Sequence, residues 1–137
     1  MKIISRFGIK SFVLLLTVLG VATFVHAMDD PGFEINRMVV SQNIENREPV
    51  NSGDAFSAFS EKLFCFLDAR DIEQDTVVIF VWYHENQELA RIELPLQQGR
   101  RWRTWSSKKI NGLKGNWKVE LQDSSGIIHN AISFLIE

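Results

Sequence analysis

From Phe33 onward, apolar and polar residues alternate with a period close to two, and turn residues interrupt them at short intervals. Phe33 to Gln42 reads as a first strand. The polar stretch NIENREPVNSGD, Asn43 to Asp54, holds Pro49 and Gly53 and reads as a connection. Phe56 to Asp68 supports two readings. Phe56, Phe59, Leu63 and Phe66 would line one helical face, whereas Leu63, Cys65 and Leu67 alternate as a strand would. Aromatic content and strand-rich surroundings favour a strand over Lys62 to Asp68, with a short helix before it as the alternative.

The remaining elements are read more directly. Thr76 to His84, TVVIFVWYH, is a nearly continuous β-branched and aromatic run, which predicts a central strand covered on both faces. Glu85-Asn86-Gln87 is a tight polar turn. Glu88 to Leu96 follows, with Ala90, Ile92, Leu94 and Leu96 on one face, and Pro95 marks a strand end or edge because it cannot donate to a ladder. Arg101 to Ser107 is the next strand. Trp117, Val119 and Leu121 then alternate with polar residues, Asp123 to Gly126 is a hairpin turn, and Ile127 to Ile136 closes the chain. About seven strands with short turns and no long helix predict an all-β, antiparallel immunoglobulin-like β-sandwich. The cysteine pair of antibody domains is absent, so that comparison is architectural.

Residues 1–27 stand apart from this pattern. Lys2, Arg6 and Lys10 make a positive start, an uncharged apolar run follows from Ser11 to Val25, and Val25-His26-Ala27 offers small residues where a signal peptidase reads. The expectation is a signal peptide cleaved after Ala27 and a periplasmic or secreted domain over residues 28–137. The apolar run falls short of the ~20 residues that span a membrane, so an uncleaved anchor is the minor alternative. Without Lys2, Arg6 and Lys10, the 15 basic residues fall to 12 against 17 acidic ones, a formal net charge of −5. Such a domain does not suggest a nucleic-acid binder. Cys65 is the single cysteine, so no internal disulfide forms, and in LFCFL it reads as a small buried hydrophobe rather than a reactive thiol.

One stretch departs from the acidic balance. RRWRTWSSKKI, Arg100 to Ile110, packs five cations and two tryptophans, and no acidic residue lies between Glu93 and Glu120. Alternation sends Trp102, Thr104 and Ser106 to one face and Arg101, Arg103, Trp105 and Ser107 to the other. Two guanidinium groups exclude the second face from a core, so Trp102 is expected inside and Trp105 outside, beside Arg103. An exposed indole with guanidinium groups is suited to carboxylates, phosphates or sugars. Arg101, Arg103 and Trp105, with Lys108 and Lys109 adding field, are therefore the candidate ligand-binding residues. The structural alternative is that the cations guard an exposed strand, or are neutralised by Asp68, Asp71, Glu73 and Asp75.

Catalytic and metal chemistry have weaker support. His84 and His129 stand at unrelated positions, Ser106-Ser107 lacks nucleophile-elbow glycines, and DARDIEQD lacks the spacing of a calcium loop. No cofactor, metal or catalytic residue is assigned.

The run from Val81 to Glu137 resembles the bacterial family of unknown function DUF2914, and the resemblance extends over nearly the whole of residues 28–137. The residues that carry the resemblance are Trp82 and Tyr83; Arg101 through Lys108; Gly115, Trp117 and Val119; Asp123 and Gly126; and Phe134. NREP (Asn46 to Pro49) and LFCF (Leu63 to Phe66) are also similar to the family. The resemblance implies a compact exported β domain and supplies no catalytic residues. Trp82, Trp102, Trp117, Cys65 and Phe134 are the expected core. The function expected is a non-catalytic binding or adaptor domain for an anionic envelope polysaccharide or an acidic protein surface. Alternatives are a structural envelope component that self-associates through sheet edges, and a small hydrolase.

Overall fold

The computed structural model describes residues 30–137. The expected signal peptide and its expected cleavage after Ala27 lie outside the described residues. Among the described residues nine strands form: β1 (Glu34–Glu45), β2 (Glu48–Ser52), β3 (Ala55–Phe56), β4 (Lys62–Ile72), β5 (Thr76–His84), β6 (Gln87–Leu96), β7 (Gly99–Lys109), β8 (Gly115–Gln122) and β9 (Ile128–Ile136). They make two sheets, a four-stranded one in the order β2-β1-β4-β7 and a five-stranded one in the order β3-β9-β8-β5-β6. All pairings are antiparallel except β3 with β9.

The immunoglobulin-like sandwich read from the sequence is what forms, with nine strands rather than seven. Both extra strands come from the region read as polar connection or helix. Asn46 and Arg47 have positive φ between the paired residues Glu45 and Glu48, a two-residue turn of the type that suits the twist of a hairpin. With no glycine and with polar flanks, that hairpin left no apolar alternation to read. β3 is too short to show a period at all. In place of a helix before Leu63 the chain makes a turn, with Ser60 N donating to Ser57 O at 3.0 Å. Phe56 enters the core while Phe59 stands in solvent, so the helical face does not exist.

The core lies between the sheets. Leu63, Cys65, Leu67 and Ala69 of β4 face Val78, Phe80 and Trp82 of β5 and Trp117, Val119 and Leu121 of β8. Each fully buried Leu or Phe side chain contributes about 1.5–3 kcal/mol, which is how the domain holds together without a disulfide. Phe134 is the hub of the aromatic cluster. Its ring centroid lies 5.9 Å from Phe56, 6.3 Å from Trp82 and 6.0 Å from Trp117.

Candidate functional site

The outer face of the four-stranded sheet carries the candidate residues. Pairing of β4 with β7 puts Asp68 opposite Arg103, Phe66 opposite Trp105 and Arg70 opposite Arg101. Pairing of β1 with β4 adds Arg37 opposite Asp68. Since alternate residues of a strand share a face, Phe66, Asp68 and Arg70 point outward together, away from Cys65, Leu67 and Ala69.

Two carboxylates and four guanidinium groups meet there. Asp68 is only 1% exposed. It accepts hydrogen bonds from Arg70 Nε and Nη2 at 3.2 Å each, from Arg101 Nε at 3.2 Å and Nη2 at 3.1 Å, and from Asn36 Nδ2 at 3.1 Å. Burial pushes its carboxyl pKa up, but the bonds from Arg101, Arg70 and Asn36 together outweigh that and hold it below the usual carboxylate range. Glu48, on β2, accepts from Arg37 and, at 2.8 Å, from Arg103 Nη1. The Arg37 bond is the main reason its pKa is lowered. Arg101 Nη2 also reaches Glu48 Oε1 at 3.6 Å, which links the two carboxylates into one network.

The aromatic part of this face is layered. Trp105 stacks on Phe66 with ring centroids 6.5 Å apart and planes 13° apart, and the Arg37 guanidinium lies 5.0 Å from the Phe66 centroid. Phe66 points away from the core yet is fully buried, because these two groups cover it.

The five candidate residues do not form one patch. Arg101, Arg103 and Trp105 are together; Lys108 and Lys109 lie at the end of β7, opposite Leu63 and Lys62, and Lys108 Nζ donates to Lys109 O at 2.9 Å. Trp105 is on the outer face but half-buried rather than exposed, because it stacks on Phe66. Trp102 is on the inner face but only partly buried, since β7 is an edge strand that the other sheet does not fully cover. Trp82, Trp117, Cys65 and Phe134 are all buried. Burial pushes the Cys65 thiol pKa up, so it stays protonated and inert.

Sequence reasoning missed Arg37, Glu48, Phe66 and Arg70 as members of this face. Of the four acidic residues expected to neutralise the cations, Asp68 does so, while Asp75 instead accepts a hydrogen bond from Gln98 N at 2.8 Å. Glu48 lay in the stretch read as a connection, where no alternation assigned it a face. A second polar group, on the outer face of the five-stranded sheet, was also missed. Glu120 is buried there beside Gln122, whose Nε2 donates to it at 3.2 Å. The Glu120 carboxylate beside Tyr83 raises the tyrosine pKa.

Much of the family-like motif has architectural work in this fold. Ser106 Oγ accepts a hydrogen bond from Trp82 Nε1 at 2.9 Å, and Trp117 Nε1 donates to Leu113 O at 2.8 Å. Asp123 Oδ1 accepts from Ser125 N at 2.8 Å and Ile127 N at 3.1 Å, while Gly126 adopts a φ of 83° to close the turn.

No curated protein matches the chain. An immunoglobulin-like protein from Pseudomonas aeruginosa superposes with a TM-score of 0.54 at 12% identity, over 77% of this chain and 96% of that one. That likeness is one of fold. A β-glucosidase from Listeria innocua aligns with a TM-score of 0.49 at 12% identity, over 77% of this chain and 16% of the enzyme. A β-D-glucoside glucohydrolase from Trichoderma reesei aligns with a TM-score of 0.49 at 15% identity, over 77% of this chain and 19% of the enzyme. The chain spans less than a fifth of either glucosidase. The family DUF2914, described as a protein of unknown function, matches residues 75–136. That span holds strands β5 to β9, and over it this chain is similar to the DUF2914 family.

Proposed function

We propose that this protein is an exported, non-catalytic binding or adaptor domain that engages an anionic partner, an acidic envelope polysaccharide or an acidic protein surface, through the outer face of its four-stranded sheet. Export is inferred from the leader at residues 1–27. One observation carries the binding reading: four guanidinium groups, those of Arg37, Arg70, Arg101 and Arg103, converge on only two carboxylates, Glu48 and Asp68. Among these ion-paired groups the excess is two positive charges, in a domain that is otherwise acidic. Each guanidinium has five N–H donors, and the internal pairs use one or two of them. The rest remain for an incoming carboxylate, sulfate or phosphate. The internal pairs hold the arginines in place, which lowers the entropy lost when a partner binds. Trp105, half-buried against Phe66, adds a flat edge beside them.

The test is binding of poly-L-glutamate and of dextran sulfate at low and high salt, by wild type and by an Arg101→Ala/Arg103→Ala variant. Thermal melting first shows the variant to be folded; Glu48 keeps Arg37 and Asp68 keeps Arg70. Wild type should bind at low salt and weaken on the order of tenfold or more as screening rises, and the variant should bind neither polymer. Equal binding by both proteins, or none by wild type, overturns the proposal.

A further inference from the structure

Resting on the reading above and deepening it, we infer that the anionic partner is an extended acidic segment of a polypeptide, which pairs with the outer edge of β7 and adds a fifth strand to the four-stranded sheet. The two sheets have four edges, and three are blunted in ways that discourage pairing. β2 has five residues and contains Asn51 at a φ of 55°. β3 has two residues. β6 carries Pro95, which cannot donate, has a register shift against β5 at Trp82/Tyr83, and bears Glu88 and Glu93.

β7 differs from all of them. It runs for 11 residues without proline. It pairs with β4 from Lys62↔Lys109 to Ile72↔Gly99 without a shift of register. Among the described residues no strand pairs with its other side. In an antiparallel strand, alternate residues aim their N–H and C=O groups away from the existing partner. About half of the β7 peptide groups are therefore presented to the outside as a ready template.

Charge decides which strand fits. β7 carries Arg100, Arg101, Arg103, Lys108 and Lys109 and no acidic residue. A second copy pairing antiparallel about Thr104 would set Arg100 against Lys108 and bring like charges together, which is destabilising. The self-association read as an alternative is thus opposed at this edge. An acidic strand reverses the sign at every such position. Its outward carboxylates would lie beside Arg101 and Arg103, and Arg100 and Lys109 form no ion pair among the described residues. Backbone pairing would supply affinity and the arginines the choice of partner. A polysaccharide lacks the regular N–H and C=O ladder that this edge matches.

The experiment uses the protein as purified from the expressing cell and three probes. One is a ten-residue peptide of alternating Glu and Thr. The second is the same peptide N-methylated at alternate residues on its pairing edge, which keeps the charge and removes the ladder donors. The third is dextran sulfate. The unmodified peptide should bind at least tenfold more tightly than the methylated one. It should also slow hydrogen exchange across Gly99–Lys109, with β2 and β6 unchanged. Equal binding of the two peptides, or binding of dextran sulfate with no binding of peptide, overturns strand addition and leaves the anion-binding face standing. Failure of all three probes at low salt overturns both.

Discussion

Ser106 Oγ lies 2.9 Å from Trp82 Nε1, and both side chains are buried. The two residues belong to opposite sheets, β7 and β5. This bond crosses the core and ties the RWRTWSSK stretch to the WY pair. It explains why a strand with a polar serine at a core-facing position is stable there: the indole N–H needs an acceptor once it leaves water.

Replacing Ser106 by Ala should therefore cost about 1–3 kcal/mol, because the buried indole donor is left unpaired. In a domain of this size each kcal/mol corresponds to a fall of about 4–8 °C in Tm. Chemical denaturation of wild type and variant measures it. A loss below about 0.5 kcal/mol would show that the bond is not a structural tie.

Gly115 begins β8 at a φ of 112°. A Cβ there would collide with the Glu85 carboxylate, which accepts a hydrogen bond from Asn116 N at 2.8 Å. Gly115→Ala should destabilise by about 1–3 kcal/mol through backbone strain, plus the loss of that hydrogen bond. Adding Glu85→Ala relieves the collision but not the strain, so the double variant should recover only part of the loss.

Asp68 links stability to pH. Its folded pKa is lowered, so its contribution is present above the unfolded value of about 3.9 and is lost as pH falls through the folded value. Asp68→Asn should therefore be less stable than wild type at pH 7, by about 1.5–3 kcal/mol for hydrogen bonds to a charged group. The gap should close as pH falls below about 4. Urea midpoints of both proteins from pH 7 to pH 2 test this, and a gap independent of pH would refute it.

Phe59 and Phe134 make an opposed pair. Phe59 is 99% exposed, whereas Phe134 is the hub of the aromatic cluster. Phe59→Ser should change stability by less than about 0.5 kcal/mol, as surface substitutions do. Phe134→Ala should cost about 3–5 kcal/mol. Thermal melts of the two variants check both halves.

The β5, β6, β8 and β9 spans were legible within one or two residues, since β5 is a continuous β-branched and aromatic run and short polar turns bound the other three. β1 and β4 were read short at their C-terminal ends, where polar residues such as Asn43, Arg70 and Asp71 continue the strands. There the ladder persists on backbone hydrogen bonds, which leave no mark in hydropathy. The candidate face was half legible. Alternation placed Arg101, Arg103 and Trp105 on one side of β7, but nothing in the period shows which strand lies beside it.

Local pattern alone thus determined the class of fold, the turns and the side of the strand on which each residue of RRWRTWSSKKI lies, because a pleated strand has a period of two regardless of its neighbours. Which groups those residues meet was decided by tertiary pairing. Arg103 finds Glu48 across 55 positions of chain, and Arg101 finds Asp68 across 33. Trp105 became half-buried only because β4 brought Phe66 beneath it. Strand order and register set these contacts, and both follow from how the two sheets close over one core.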